Sequence, residues 1–269
     1  MLRSFAGGEV FGEVWGTEPV RVLALHGWRR THDDFAAVLG PASAGGASAS
    51  LALDLPGFGA SPEPPAVWGS ADYAALVARV LDEVREQGPA PAGGLPAQGF
   101  VVLGHSFGGR VAVHLAQSRP DLVRALVLTG VPLVRLQSKA KRPPYRYRLV
   151  RTLRKANLVP ESMLERARQH YGSADYLAAQ GVMRDILVRL TNETYTEQVA
   201  AIRCPLELVW GDDDKEAPLA VARSVASTVS GSTLTVCPGA GHMTPLTVPD
   251  MLRRAVDRAL DAPCNAGAR

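Results

Sequence analysis

The chain has 269 residues, of which 46% are hydrophobic and 20% charged, and its formal net charge is +3. This composition is ordinary for a globular protein, and the length suffices for one large α/β domain with an insertion. The small net charge indicates no nucleic-acid partner, and no apolar run approaches the length that spans a bilayer.

The start of the chain and the cysteines predict a cytoplasmic protein. Residues 1–5 lack the long apolar stretch of a signal peptide. Cys204, Cys237 and Cys264 are odd in number and far apart, with no C-x-x-C spacing. We therefore expect neither a disulfide framework nor a zinc site, and we interpret these cysteines as small apolar filler.

Strand and helix signals alternate along the chain, which predicts a mostly parallel sheet flanked by helices. Residues 11–15 and 21–25 have the pattern of early strands and are expected to form a hairpin around 16–19. A short helix over 33–39 and a buried strand ending at Asp54 follow, and then an amphipathic helix that Ser70 is expected to cap. A loop rich in Pro and Gly covers 88–99. The later predictions are strands over 122–129, 205–210 and 233–237, and helices over 218–229 and 248–260.

The most informative stretch is Gly104-His105-Ser106-Phe107-Gly108. An apolar run over 100–103 precedes it, and a segment of helical character over 109–119 follows it. A serine at the apex of a sharp strand-to-helix turn, with glycine two residues to either side, is the pattern of a nucleophile elbow. The pattern predicts Ser106 as a catalytic nucleophile; the alternative is a Gly-rich loop with an incidental serine.

Residues 132–200 interrupt the alternation, because only helical patterns occur there. The segment carries a basic run without an acid, from Arg135 to Lys155. An insertion between two strands would project from the carboxyl edge of the sheet, where open α/β sheets bind ligands. We predict a helical lid over the site, with Arg142, Arg146 and Arg148 as candidate contacts for an anionic substrate or an acidic carrier protein. The alternative is a solvated helical face.

A catalytic serine requires a base and an acid that orients the base, and in this arrangement the chain order is Ser, acid, His. Of the three later histidines, His114 falls in the helix after the elbow and His170 in the lid. His242 follows the last predicted strand in a Gly-containing loop, and it is therefore the predicted base. The acid is expected among Asp212, Asp213 and Asp214, which all follow the preceding strand; position alone leaves the three open.

The oxyanion donors are expected to be backbone N–H groups. One belongs to Phe107, the residue after the nucleophile, and the other to Trp28, in the loop His26-Gly27-Trp28. Trp28 is also a candidate pocket wall, and its alternative role is a core aromatic. His26 is expected to organise the loop and is a further candidate substrate contact.

These motifs resemble those of α/β-hydrolase-fold proteins with an inserted cap. The matching segments are 26–28, 54–61 (D-x-P-G-x-G-x-S), 104–109, 211–214 with Pro218, and 241–242. The resemblance implies a core of 1–131 and 201–269 and a cap of 132–200. In many relatives the acid falls in a G-x-x-D-x-x-x-P pattern, which here singles out Asp214. The resemblance also implies a structural role for Asp54. Ser106 argues against a haloalkane dehalogenase, because those enzymes share the fold but use an aspartate nucleophile.

The expected function is that of a serine hydrolase with the triad Ser106, His242 and Asp214, which cleaves a small carboxylic ester or related acyl compound through an acyl-enzyme. No metal or organic cofactor is implied. Three alternatives share the motifs: a carbon–carbon bond hydrolase acting on a vinylogous diketone, a thioester or carrier-protein ester hydrolase, and a ligand-binding receptor with little or no turnover. The basic lid resembles that of pimeloyl-carrier-protein methyl ester esterases.

Overall fold

One mixed sheet organises the computed structural model of the chain, which describes residues 2–41, 49–87, 99–135, 145–156, 158–160, 162–163, 166 and 174–262. The order across the sheet is β1-β2-β4-β3-β5-β6-β7-β8; β1 pairs antiparallel with β2 and β2 antiparallel with β4, and all later pairings are parallel. The predicted α/β class with a mostly parallel sheet is confirmed. The strands are β1 (Leu2–Phe5), β2 (Val10–Trp15), β3 (Val20–Leu25), β4 (Ala49–Asp54), β5 (Phe100–His105), β6 (Val123–Thr129), β7 (Leu206–Gly211) and β8 (Thr233–Cys237).

The predicted hairpin between the first two strand signals is wrong. β2 pairs with β4, where Phe11 lies opposite Asp54, while β3 lies between β4 and β5. The reason is burial: β4 is buried along its whole length and β3 over its last four residues, so both need neighbours on each side, whereas β2 is only partly buried. β1 was not predicted and covers the outer edge of β2.

Helices pack on both faces of the sheet. The predicted helix from Ser70 is confirmed, but the Ser70 hydroxyl lies 3.0 Å from the Tyr195 hydroxyl rather than capping the helix. No helix in the described parts of the chain is long and apolar enough to cross a membrane. The helices are α1 (Ala36–Leu39), α2 (Ser70–Gln87), α3 (Phe107–Ser118), α4 (Tyr145–Lys155), α5 (Ala174–Ala178), α6 (Gly181–Asn192), α7 (Thr196–Ala201), α8 (Leu219–Thr228), α9 (Thr244–Thr247) and α10 (Pro249–Asp261).

The alternation of side chains along the strands divides the core into two layers. On one face, Leu23 and Leu25 of β3 pack in a cluster with residues of α2, α3 and α8. On the other face, Val22 and Ala24 pack in a cluster with residues of α1 and α10. Because successive strand residues point to opposite faces, a continuous apolar strand supplies both layers.

The residues described between β6 and β7 form helices α4 to α7 and contain no strand. The end of α6 is fastened to the start of α2: Glu193 accepts hydrogen bonds from the Ser70 N–H at 3.1 and 3.3 Å, and Arg189 lies 3.2 Å from Asp72. The helical character of this segment agrees with the sequence analysis. The division into a core and a cap stays a prediction.

Candidate active site

The turn between β5 and α3 has the geometry expected of an elbow. Ser106 adopts φ 49° and ψ −111°, a left-handed conformation that is uncommon for a residue with a side chain. A Cβ at Gly104 would lie 2.5 Å from the Gly109 Cα, and one at Gly108 would lie 2.1 Å from the Leu25 carbonyl oxygen. These backbones approach so closely that only glycine fits at both positions.

His242 and Asp214 meet beside this turn, at the edge where β5, β7 and β8 end. The His242 Nδ1 lies 2.9 Å from the Asp214 Oδ2, and Asp214 is buried. The other carboxylate oxygen accepts the N–H groups of Glu216 at 2.9 Å and Ala217 at 2.8 Å. Burial raises the pKa of Asp214, but these hydrogen bonds outweigh it and the net pKa is lowered, so the carboxylate stays ionised.

The two other aspartates make different contacts. Asp212 accepts the Gly239 N–H at 2.7 Å on the surface. Asp213 is exposed and pairs with Lys215. Asp214 is therefore the member of the three that contacts His242.

His105 was missed as a site residue by the sequence analysis. Its Nε2 donates to the His242 carbonyl at 3.0 Å, and the two rings lie 5.0 Å apart between centroids. The Thr244 N–H donates to the same carbonyl at 3.0 Å, and the Thr244 hydroxyl contacts that of Thr129. Burial, assisted by the nearby His242, lowers the pKa of His105 to about 4, so the ring is neutral at pH 7. The only sequence signal for His105 was its place at the end of β5, one residue before Ser106, from which it reaches the loop after β8 that carries His242.

Glu216 was also missed. Its Oε2 lies 3.4 Å from the His242 Nε2, the nitrogen opposite the one that meets Asp214. The Glu216 side chain is 72% exposed, so water screens this contact strongly. Its position two residues after Asp214 is the one signal that could have found it.

The loop with the second expected oxyanion donor packs against the elbow. A Cβ at Gly27 would lie 3.5 Å from the Ser106 Cβ, and the rings of Trp28 and Phe107 make an edge-to-face contact at 5.6 Å. The Gly108 N–H donates to the His26 carbonyl at 2.9 Å, which ties loop and elbow together. The structure thus brings the loop that carries Trp28 beside the elbow, and the oxyanion role of the Trp28 and Phe107 N–H groups stays a prediction.

His26 is buried, and backbone groups occupy both of its ring nitrogens. Nδ1 donates to the Gly27 carbonyl at 2.7 Å, and Nε2 accepts the Leu55 N–H at 2.9 Å. Burial lowers the pKa of His26 to about 4. This arrangement matches the expected loop-organising role and leaves no ring nitrogen for a substrate, so His26 is not carried forward as a substrate contact.

Trp28 lines a cavity of about 440 Å³ between this loop, the turn at Gly57 and Phe58, and Met183 of α6. Its indole N–H is buried and meets no acceptor among the residues described here. Asp54 organises the adjacent turn by accepting the N–H groups of His32 at 2.8 Å and Ala60 at 2.9 Å, consistent with a structural role. Trp28 therefore lines a cavity, as expected of a pocket wall.

The expected contacts in the basic run are largely beyond what the structure describes. Arg142 lies outside the described residues, and Arg146 and Arg148 are described only as backbone positions of α4. Their role as substrate contacts therefore stays a prediction. Of the other members of the run, Arg151 is exposed to solvent.

Known proteins are similar to this chain in sequence and in fold. A family model described as "Alpha/beta hydrolase family" matches residues 22–255. Lipase LipV of Mycobacterium tuberculosis is 31% identical over 254 residues, covering 91% of this chain and 82% of that protein. The uncharacterized hydrolase YugF of Bacillus subtilis is 22% identical over 222 residues, covering 75% and 76%. The solved structure of a thermophilic esterase from Thermogutta terrifontis superposes with a TM-score of 0.68 at 21% identity, covering 97% and 98% of the two chains.

Proposed function

Because the chain belongs to the alpha/beta hydrolase family and is a hydrolase, we propose that it cleaves a small carboxylic ester or related acyl compound through a Ser106–His242–Asp214 triad. The observation that carries this proposal is the 2.9 Å hydrogen bond between His242 Nδ1 and the buried Asp214, next to the strained Ser106. Asp214 holds the proton on Nδ1, which leaves Nε2 as the basic nitrogen.

In the proposed reaction, Ser106 Oγ attacks the ester carbonyl carbon while His242 Nε2 takes the hydroxyl proton. The tetrahedral intermediate collapses as His242 returns that proton to the leaving alcohol, which yields an acyl-enzyme. Water then attacks the acyl carbon with His242 as base, and the acid leaves as Ser106 recovers its proton. These steps use no metal and no organic cofactor.

The backbone N–H groups of Trp28 and Phe107 stabilise the oxyanion in this scheme. The packing of the Gly27 loop against Ser106 and the ring contact between Trp28 and Phe107 support the assignment. In a comparable hydrolase, loss of one oxyanion donor costs about a hundred- to a thousandfold in rate. His105 positions the base by holding the His242 carbonyl, and it takes no part in proton transfer.

A fluorophosphonate probe tests whether Ser106 is activated. We expect labelling of the wild type and none of Ser106→Ala or His242→Ala, with both variants retaining the fold by circular dichroism. Because residues of one catalytic unit act together, the esterase activity of the double variant Ser106→Ala/His242→Ala should be little lower than that of either single variant. Ser118, at the end of α3 and bonded to the His114 carbonyl, provides a matched control in Ser118→Ala. Labelling of Ser106→Ala at the wild-type level would refute the nucleophile.

A substrate panel separates the remaining classes. Esters, thioesters and vinylogous diketones are offered to unlabelled wild-type enzyme, and we expect the highest kcat/KM with short-chain esters. Preference for a diketone or a thioester would replace the ester assignment while retaining Ser106. Absence of both labelling and turnover would indicate a ligand-binding receptor.

A further inference from the structure

A second cavity, of about 290 Å³, lies where the inserted segment leaves the sheet. Its walls come from α3, from residues 132–135 after β6, and from the end of α6, the start of α7 and the residues that join them. It shares none of its lining residues with the cavity beside Trp28. The polar lining residues are Arg110, Arg135, Thr191, Glu193, Thr194, Tyr195 and Thr196.

Arg110 lines the cavity with unused hydrogen-bonding capacity. Its Nη1 donates to the Leu190 carbonyl at 3.2 Å, and its guanidinium lies 5.6 Å from the centre of the Tyr195 ring. Its Nε is buried and finds no acceptor among the described residues. A buried donor without a partner is unfavourable, and the described residues supply no acceptor for this N–H.

Arg135 supplies a second guanidinium to the lining of the cavity. Its Nη2 donates to the Thr191 carbonyl at 3.2 Å, and the side chain is otherwise exposed. In the part of the chain that the structure describes, neither Arg110 nor Arg135 forms an ion pair with a carboxylate. No carboxylate of the described residues therefore compensates either positive charge by direct contact.

Glu193 is the one acid in the lining, and its oxygens are already engaged. It accepts the Ser70 N–H and the Tyr195 hydroxyl, the latter at 2.8 Å. The two arginines and this glutamate together give the lining a net charge of +1. A guanidinium pair with free N–H groups in a concave site matches the geometry of carboxylate and phosphate groups.

We propose that this cavity, between Arg110 and Arg135, is a binding site for a carboxylate or phosphate group. The anion accepts from the Nη groups of Arg110 and Arg135, the two guanidinium side chains that line the cavity, and it fills the volume that the side chains leave open. The site includes no residue of the triad or of α4, and Arg135 is its one member from the basic run.

The cavity nevertheless adjoins the catalytic elements. Arg110 follows Ser106 by one turn of α3, about 6 Å along the axis, and its N–H donates to the Ser106 carbonyl at 3.3 Å. Pro132 is two residues beyond Gly130, where a Cβ would lie 3.1 Å from the His242 ring. The anion could thus be the far end of the ester substrate or a separate small molecule, and the two experiments below distinguish these sources.

The first experiment measures binding without catalysis, so it does not rest on the proposed function. Inorganic phosphate and succinate are titrated calorimetrically into Ser106→Ala protein at constant ionic strength. We expect one site per chain, and at least about tenfold weaker binding when Arg110→Gln or Arg135→Gln is added. Arg203 also donates only to carbonyls, those of Ala200 and Ile202, away from the cavity, so Arg203→Gln is the matched control.

Two results of this titration would overturn the site. One is absence of binding of both anions, and the other is equal weakening by Arg203→Gln and Arg110→Gln, which would indicate only a diffuse positive surface. Arg135 is exposed, so Arg135→Gln keeps the test valid if Arg110→Gln fails to fold, which thermal unfolding reveals.

The second experiment rests on the proposed function and identifies the source of the anion. The kcat/KM of wild type is compared for monomethyl glutarate and methyl pentanoate, which differ in a terminal carboxylate. A preference of about tenfold or more for the glutarate, lost in Arg110→Gln, assigns the anion to the substrate. Equal kcat/KM values together with calorimetric binding assign it to a free anion, and failure of turnover leaves the binding result standing.

Discussion

The two buried histidines beside the catalytic loops should make the protein sensitive to mild acid. Burial lowers the pKa of His26 and of His105 from 6.5 to about 4 in the folded state. The unfolded chain takes up these protons near pH 6.5, whereas the folded chain resists them until about pH 4. The stabilisation is therefore complete above pH 6.5 and is lost as the pH falls toward 4.

The magnitude follows from the two pKa values. The difference is worth about 3 kcal/mol for each histidine, against a total stability of about 5–15 kcal/mol for a typical domain. Between pH 4 and 6.5, each adds about 1.4 kcal/mol per pH unit to the slope of the unfolding free energy. Burial lowers the pKa of His114 as well, so the wild-type slope contains a further contribution.

Urea unfolding at several pH values between 5 and 6 gives the slope. In His26→Gln and in His105→Gln it should fall by about 1.4 kcal/mol per pH unit, because one titrating group is removed. This difference in slope is independent of the overall stability cost of the substitution, which shifts the curve at all pH values alike. A slope in either variant equal to that of the wild type would refute the buried, neutral state of that histidine.

The remaining predictions concern the site and the basic run. Asp214→Asn should lower kcat about 10,000-fold because the wrong His242 tautomer is favoured, whereas Asp212→Asn, altering a surface contact, should cost less than about tenfold; a larger loss at Asp212 in steady-state assays would reverse the assignment. Glu216→Gln should leave kcat/KM within about threefold, since the carboxylate is exposed and screened; a loss comparable to that of Asp214→Asn would give it a catalytic role. If the basic run binds an anion, Arg146→Gln/Arg148→Gln should reduce the salt sensitivity of kcat/KM for an anionic ester and not for a neutral one, because the Debye length is about 8 Å near physiological ionic strength. Equal salt sensitivity of both esters in wild type and variant would leave the run as a solvated face.

Local patterns were enough to predict the elbow and most elements. Gly104, Ser106 and Gly108 span the junction of an apolar strand and a helix. The strand, the turn and the helix can each be recognised within about a dozen residues. The same holds for α2 and α10, whose apolar spacing matches one buried face. Such features depend on backbone sterics and periodicity, which a sequence displays directly.

Long-range pairing was not visible in the same way. The hairpin expected between β2 and β3 is replaced by pairing of β2 with β4, some 40 residues later, because two strands buried over most of their length required neighbours on both sides. His105 and Glu216 were likewise missed, because each contacts His242, which is distant from both along the chain.

The sequence by itself determined the fold class, the elbow serine and the loop that carries His242, because these follow from local backbone geometry and chain order. Only the tertiary structure distinguished Asp214 from its two neighbours by contact, since adjacent residues in a loop point in different directions and one alone is buried against the imidazole. It also showed that Arg110 lines a cavity and meets no carboxylate among the described residues, because ion pairing depends on what the fold brings near.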